Sequence, residues 1–160
     1  MTSTARRETQ IVADPDVPLI RITREFDAPP EKVFRAHTDP DLVVQWQGPH
    51  GMEARIDHFD CRTGGSYRYV HTHDGEEYGF HGCFHEVRPN EMIVQTFTFE
   101  GFPEGVALEK LVLEDLGDGR TRLTATSLVD SFEGRDAFVA SGMEVGVREG
   151  YERLDEVLAG

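Results

Sequence analysis

The C-terminal stretch restricts the architecture of this chain more than any other segment. From about Glu133 to Leu158 the sequence has helical spacing. At about 100° per residue, Val139, Ala140, Met143, Val147, Gly150, Tyr151, Leu154, Val157 and Leu158 fall within an arc of roughly 120°. Glu144, Arg148, Glu149, Glu152, Arg153, Asp155 and Glu156 fill most of the remaining circle. A helix divided this sharply needs an apolar surface to lie on.

The chain ahead of it offers that surface. Turn signals recur about every ten residues, the spacing of antiparallel sheets. They are Thr63-Gly64-Gly65, Asp74-Gly75, Pro89-Asn90, Gly101-Phe102-Pro103 and Gly117-Asp118-Gly119. They separate strands expected near Glu53–Phe59, Ser66–Thr72, Tyr78–Val87, Met92–Phe99, Ala107–Leu116 and Arg120–Val129. Apolar residues also roughly alternate from Val17 to Phe26, which supplies a seventh strand. Two short helices follow that strand. Pro29-Pro30 with Glu31 opens one, and Asp39-Pro40-Asp41 opens the next, which carries Trp46 and stops at Gly48-Pro49. The expected fold is α+β in two layers: a seven-stranded antiparallel sheet with the long C-terminal helix across one face. Residues 1–16 are polar, contain Pro15 and read as a flexible lead-in; 17–160 read as a single domain.

The Asp74-Gly75 hairpin sorts side chains by face. A two-residue or a four-residue loop pairs odd positions before it with even positions after it. Tyr67, Tyr69 and His71 therefore share a face with Tyr78, Phe80, Gly82 and Phe84. So many aromatics make that the helix-facing side, joined by Phe97, Phe99, Leu111, Leu113, Leu123 and Ala125. Arg68, Val70, Thr72, His81, Cys83 and His85 take the other side.

Charge excludes some functions. Thirty Asp and Glu against sixteen Lys and Arg give a net charge of −14, and the only dense basic spot is Arg6-Arg7. Neither a nucleic acid nor an anionic membrane surface is an expected partner, since both are bound through clustered positive charge. No apolar run approaches the ~18 residues of a membrane span, and Met1–Gln10 has no apolar signal core. Two cysteines make no disulfide framework, and Cys61 and Cys83 read as free thiols. These features point to the cytoplasm.

Several motifs resemble one family. They are RITREFDAPP (Arg21–Pro30), VFRAHTDPDLVVQWQGP (Val33–Pro49), Gly64-Gly65, EYGFHG (Glu77–Gly82), QTFTFEG (Gln95–Gly101) and SGMEVGVREGYERLDEVL (Ser141–Leu158). Together they resemble the SRPBCC or START-like helix-grip superfamily. Within it they look most like the branch named after the activator of the heat-shock protein 90 ATPase. The resemblance implies a cavity between sheet and long helix that takes apolar small molecules. The fold hosts lipid carriers, hormone receptors and polyketide cyclases alike, so function has to be argued from the site.

An apolar, aromatic or polyketide-like small molecule is therefore the expected ligand. Tyr67, Tyr69, Tyr78, Phe80, Phe97, Phe99, Met143, Val147 and Tyr151 would line its cavity, with Trp46 as a lid or a core plug. Gly150 lies in the apolar arc, where a missing side chain either leaves room or lets backbones approach. His71, among the aromatics, is the candidate acid/base or the ligand's hydrogen-bonding anchor. Three functions follow: ligand binding, a cyclase-, dehydratase- or hydrolase-type enzyme using His71, and a co-chaperone-like interaction with a chaperone. No cofactor is expected. A metal site is not expected either, because the sheet separates His71 and His73 from His81, Cys83 and His85. Monomer and homodimer both stay open.

Overall fold

The computed structural model describes residues 8–47 and 51–160; the Arg6-Arg7 pair and the Gly48-Pro49 stop lie outside them. Its elements run β1 (Gln10–Ala13), β2 (Leu19–Phe26), α1 (Pro30–Thr38), α2 (Pro40–Trp46), β3 (Glu53–Phe59), β4 (Ser66–His73), β5 (Glu76–Arg88), β6 (Met92–Phe99), β7 (Ala107–Gly117), β8 (Arg120–Leu128), α3 (Phe132–Ala140) and α4 (Met143–Ala159). The proline-led helix starts behave as the sequence suggests. Pro30 and Pro40 occupy the first turns, and the Asp39 side chain accepts from the Asp41 N–H.

Among the described residues one antiparallel sheet holds eight strands in the order β1-β2-β8-β7-β6-β5-β4-β3, one more than the seven expected. The extra strand comes from the stretch read as a lead-in. Gln10 pairs with Thr23 and Ala13 with Ile20, while Ile11 packs on the core. Four residues are too few to display a period, and what holds them is tertiary. Strand β1 covers the edge of β2, which would otherwise present an unpaired row of N–H and C=O groups. The Arg148 guanidinium of α4 also donates to the Thr9 carbonyl.

The single C-terminal helix expected from periodicity is two helices. Gly142 adopts φ +88°, the left-handed conformation that ends a helix, and separates α3 from α4. The apolar arc expected from periodicity spans this break and puts Val139 inward, whereas Val139 is 38% exposed. Gly142 therefore belongs to a turn, apart from Gly146 and Gly150 in the helix.

The Asp74-Gly75 loop has two residues, both with positive φ (+50° and +81°), and pairs His73 with Glu76. Tyr67 faces Gly82, Tyr69 faces Phe80 and His71 faces Tyr78, the parity read from the sequence. The inner face supports two packed clusters. One gathers Ile20, Phe26, Val33, Leu123, Tyr151, Leu154 and Leu158, so the C-terminal half of α4 is seated on β2 and β8. The other gathers Tyr67, Tyr69, Phe84 and Ile93. Phe34 and Leu111 touch both clusters. Arg24, buried on β2, clamps the helix to the sheet by donating to both carboxylate oxygens of Asp155 at 2.6 and 2.7 Å.

Candidate functional site

Alternation along β4, β5 and β6 builds an aromatic wall on the inner face. Tyr67 and Tyr69 stack with ring centres 6.0 Å apart. Tyr69 stacks on Phe80 at 5.2 Å, and Phe80 on Phe97 at 5.5 Å. Phe99 lies 5.4 Å from Phe80 and 6.4 Å from Tyr78, at the rim. Phe99 is 39% exposed, and the Tyr78 hydroxyl turns outward to Glu76.

His71 closes the wall at the end of β4. Its ring lies 5.1 Å from Tyr69 and 5.2 Å from Phe80, and the residue is 7% exposed. Among the described residues its Nε2 has no hydrogen-bond partner. Burial, with a smaller effect from the Arg153 cation, lowers the imidazole pKa below its ordinary value and favours the neutral ring.

Beyond the aromatics the inner face turns polar. Glu109 of β7 sits between Gln95 of β6 and Ser127 of β8 in the register. The Gln95 amide donates to one Glu109 oxygen at 3.2 Å, and the Ser127 hydroxyl donates to the other at 3.2 Å. The same amide reaches the Tyr67 hydroxyl at 3.3 Å. Glu109 is half-buried on this face. Burial pushes its carboxyl up to about 7, against the opposing pull of the Ser127 and Gln95 hydrogen bonds. The Tyr67, Tyr69 and Tyr151 hydroxyls are all pushed above the usual phenol range, first by burial and then by the Glu109 charge.

Helix α4 lies opposite. Met143 and Val147 of its N-terminal half are partly buried, and Gly150 and Tyr151 are buried. Its near neighbours are helices: α2 above all, then α1 and α3, whereas α1 and α3 themselves approach the strands. Trp46 is buried in the first cluster. Its indole N–H donates to the Ala36 carbonyl at 2.9 Å, and its rings lie 4.8 Å from His37 and 6.1 Å from Tyr151. Arg153 donates to the Trp46 and Gln47 carbonyls at 3.0 and 2.9 Å. Gly150, one turn earlier on the helix, is buried.

The remaining histidines of the hairpin lie apart from this site. His81 points outward to Glu100 at 2.8 Å, and the Arg68 guanidinium and His81 together hold the Glu100 carboxyl down to about 2. Cys61 and Cys83 are free thiols, and burial, with a lesser push from Asp60, raises Cys61 to about 11.

Sequence reasoning found the aromatic wall and His71 but missed Glu109, Gln95 and Ser127. The signal was present. Ala107, Glu109, Leu111 and Leu113 share one parity, so a strand already assigned its inner face carried a carboxylate there. The same parity puts Ser127 beside Leu123 and Ala125.

Solved structures share this architecture. The chain is 29% identical to a protein from Arthrobacter aurescens, with a TM-score of 0.86 over 94% of this chain and 91% of that one. It is 29% identical to a protein from Rhodobacter sphaeroides, with a TM-score of 0.84 over 94% and 97%. Protein Ms6760 from Mycobacterium smegmatis is 25% identical, with a TM-score of 0.85 over 94% and 97%. Among curated proteins nothing matches the chain. The family model for "Activator of Hsp90 ATPase homolog 1-like protein" matches residues 27–159. A match spanning both the aromatic wall and α4 settles the family: the chain is a member of the activator of Hsp90 ATPase homolog 1-like proteins, within the helix-grip superfamily.

Proposed function

We propose that this protein binds an apolar, aromatic-bodied small molecule between the inner face of β4–β7 and the N-terminal half of α4. The observation that carries this reading is the Nε2 of His71, unpartnered among the described residues. A buried polar atom left without a partner costs about 1–3 kcal/mol, and a ligand hydroxyl or carbonyl held against the Tyr69–Phe80 stack would supply one. Apolar walls with a few polar tips are the usual make-up of small-molecule sites. Met143, Val147 and Tyr151 would form the roof, and Tyr78 and Phe99 the rim.

Calorimetric titration with 2-naphthol tests the reading. Saturable binding that weakens about tenfold in His71→Phe, in a variant that melts near the wild type, is the expected result. No heat of binding at millimolar naphthol, together with no small molecule carried through purification in native mass spectrometry, would overturn it.

The family's description favours a second reading, a chaperone-linked role. Stimulation of a purified heat-shock protein 90 ATPase by this chain is its test.

A further inference from the structure

We propose that Glu109 makes this pocket selective for cations, so that its ligand is an aromatic-bodied amine with the ammonium group against the Glu109 carboxylate. The inference rests on the binding site proposed above and names the class of molecule that fills it.

Among the described residues Glu109 is an anion site without a counter-ion. Its two oxygens take one long hydrogen bond each, both from neutral donors, Gln95 and Ser127. Among the described residues no cation pairs with it. The inner-face guanidinium of Arg24 is spent on Asp155, and Arg153 is turned to the α2 carbonyls. The groups that face Glu109 from the packed elements are Tyr67 and Tyr69 of β4, Gln95 of β6, Ser127 of β8 and Tyr151 of α4. Every one is neutral at pH 7.

A carboxylate offers about four acceptor sites, and two remain open here. A buried charge is costly unless an opposite charge meets it, so the complementary ligand end is positive rather than a neutral hydroxyl. Two further features favour a cation. The faces of Tyr67, Tyr69, Phe80 and Phe97 attract positive charge, and the net charge of −14 draws cations toward the protein.

Binding an ammonium requires the carboxylate. Burial holds the empty-site Glu109 near 7, so amine affinity should rise as the pH climbs through 7.

The probes are 2-naphthylmethylamine and its neutral isostere 2-naphthylmethanol, titrated by calorimetry at pH 6 and pH 8 into wild type and Glu109→Gln. The expected result is an amine preference of about tenfold or more at pH 8, shrinking several-fold at pH 6 and vanishing in Glu109→Gln. The wild-type comparison at the two pH values stands by itself if the variant does not fold. Equal affinity for amine and alcohol, or a preference that survives in Glu109→Gln, overturns the inference and leaves the pocket standing. Binding of neither compound overturns the pocket reading and this inference with it.

Discussion

The Tyr67 hydroxyl donates to the Thr96 carbonyl at 2.6 Å, reaching across β5 to do so. The Cys83 N–H alongside is satisfied by Thr96 Oγ1 at 2.9 Å instead of by a backbone carbonyl. A side chain thus stands in for a rung of the β5–β6 ladder. Tyr67→Phe should lower stability by about 1–2 kcal/mol in urea denaturation, since it strands a buried carbonyl.

Gly82 makes that crossing feasible. A Cβ on it would lie 2.0 Å from the Thr96 carbonyl oxygen and 2.7 Å from the Tyr67 hydroxyl. Backbone cannot yield as a flexible side chain does, so Gly82→Ala should cost about 2–3 kcal/mol or more, read as a fall in melting temperature. A neutral Gly82→Ala would show that the strands are not pinned at this point.

Asp155→Ala should strand the buried Arg24 guanidinium between β2 and α4 and cost on the order of 3 kcal/mol. Arg24→Met with Asp155→Leu should recover most of that loss, because it removes both charges. Chemical denaturation of the two variants provides the check.

Two buried groups set opposite pH trends. Burial lowers His37 from 6.5 to about 4, while its hydrogen bond to the Val33 carbonyl pulls the other way. Between those values the unfolded chain holds the extra proton, so stability falls as pH drops through that window. Glu109, raised from 4.5 to about 7, favours the folded state when protonated, so its contribution is lost as pH climbs through 7. Glu109→Gln should therefore gain on the wild type between about pH 5 and pH 8, by on the order of 2 kcal/mol. Equal slopes for the two proteins would place Glu109 in contact with solvent.

Gly150→Leu should destabilise by about 1–3 kcal/mol if the buried face of α4 is closely packed there, because the new side chain overfills it. Trp46 emission should shift in the same variant, since Trp46 packs on Tyr151, the next residue. An unchanged melting temperature would put open space beside Gly150, room that a ligand can fill.

The strand ladder, the helix starts and the aromatic face were legible because each follows from local chemistry: period two, a proline at a first turn, an Asp-Gly loop. Strand β1 was not, since pairing to β2 rather than pattern makes Gln10–Ala13 a strand. The α3–α4 break was marked only by Gly142, one of three glycines at equal spacing, and nothing local distinguished a stop from a spacer. Glu109 was hidden differently. A charged residue on an inner face looks like an error of register until Gln95 and Ser127 are seen beside it.

The pairing of β2 with β8 places Leu19 beside Leu128 and Phe26 beside Thr121, so this pairing joins segments from opposite ends of the chain. Loop closure over such distances has to precede any reward from the contacts it brings. A chain growing from its N-terminus can assemble the β3–β7 meander as it appears. It holds β2 without its β8 neighbour, and Phe26 without Leu123, until β8 has been made. Synthesis halted anywhere before β8 would release a chain with the apolar side of β2 exposed, and such a fragment is a natural substrate for degradation or aggregation.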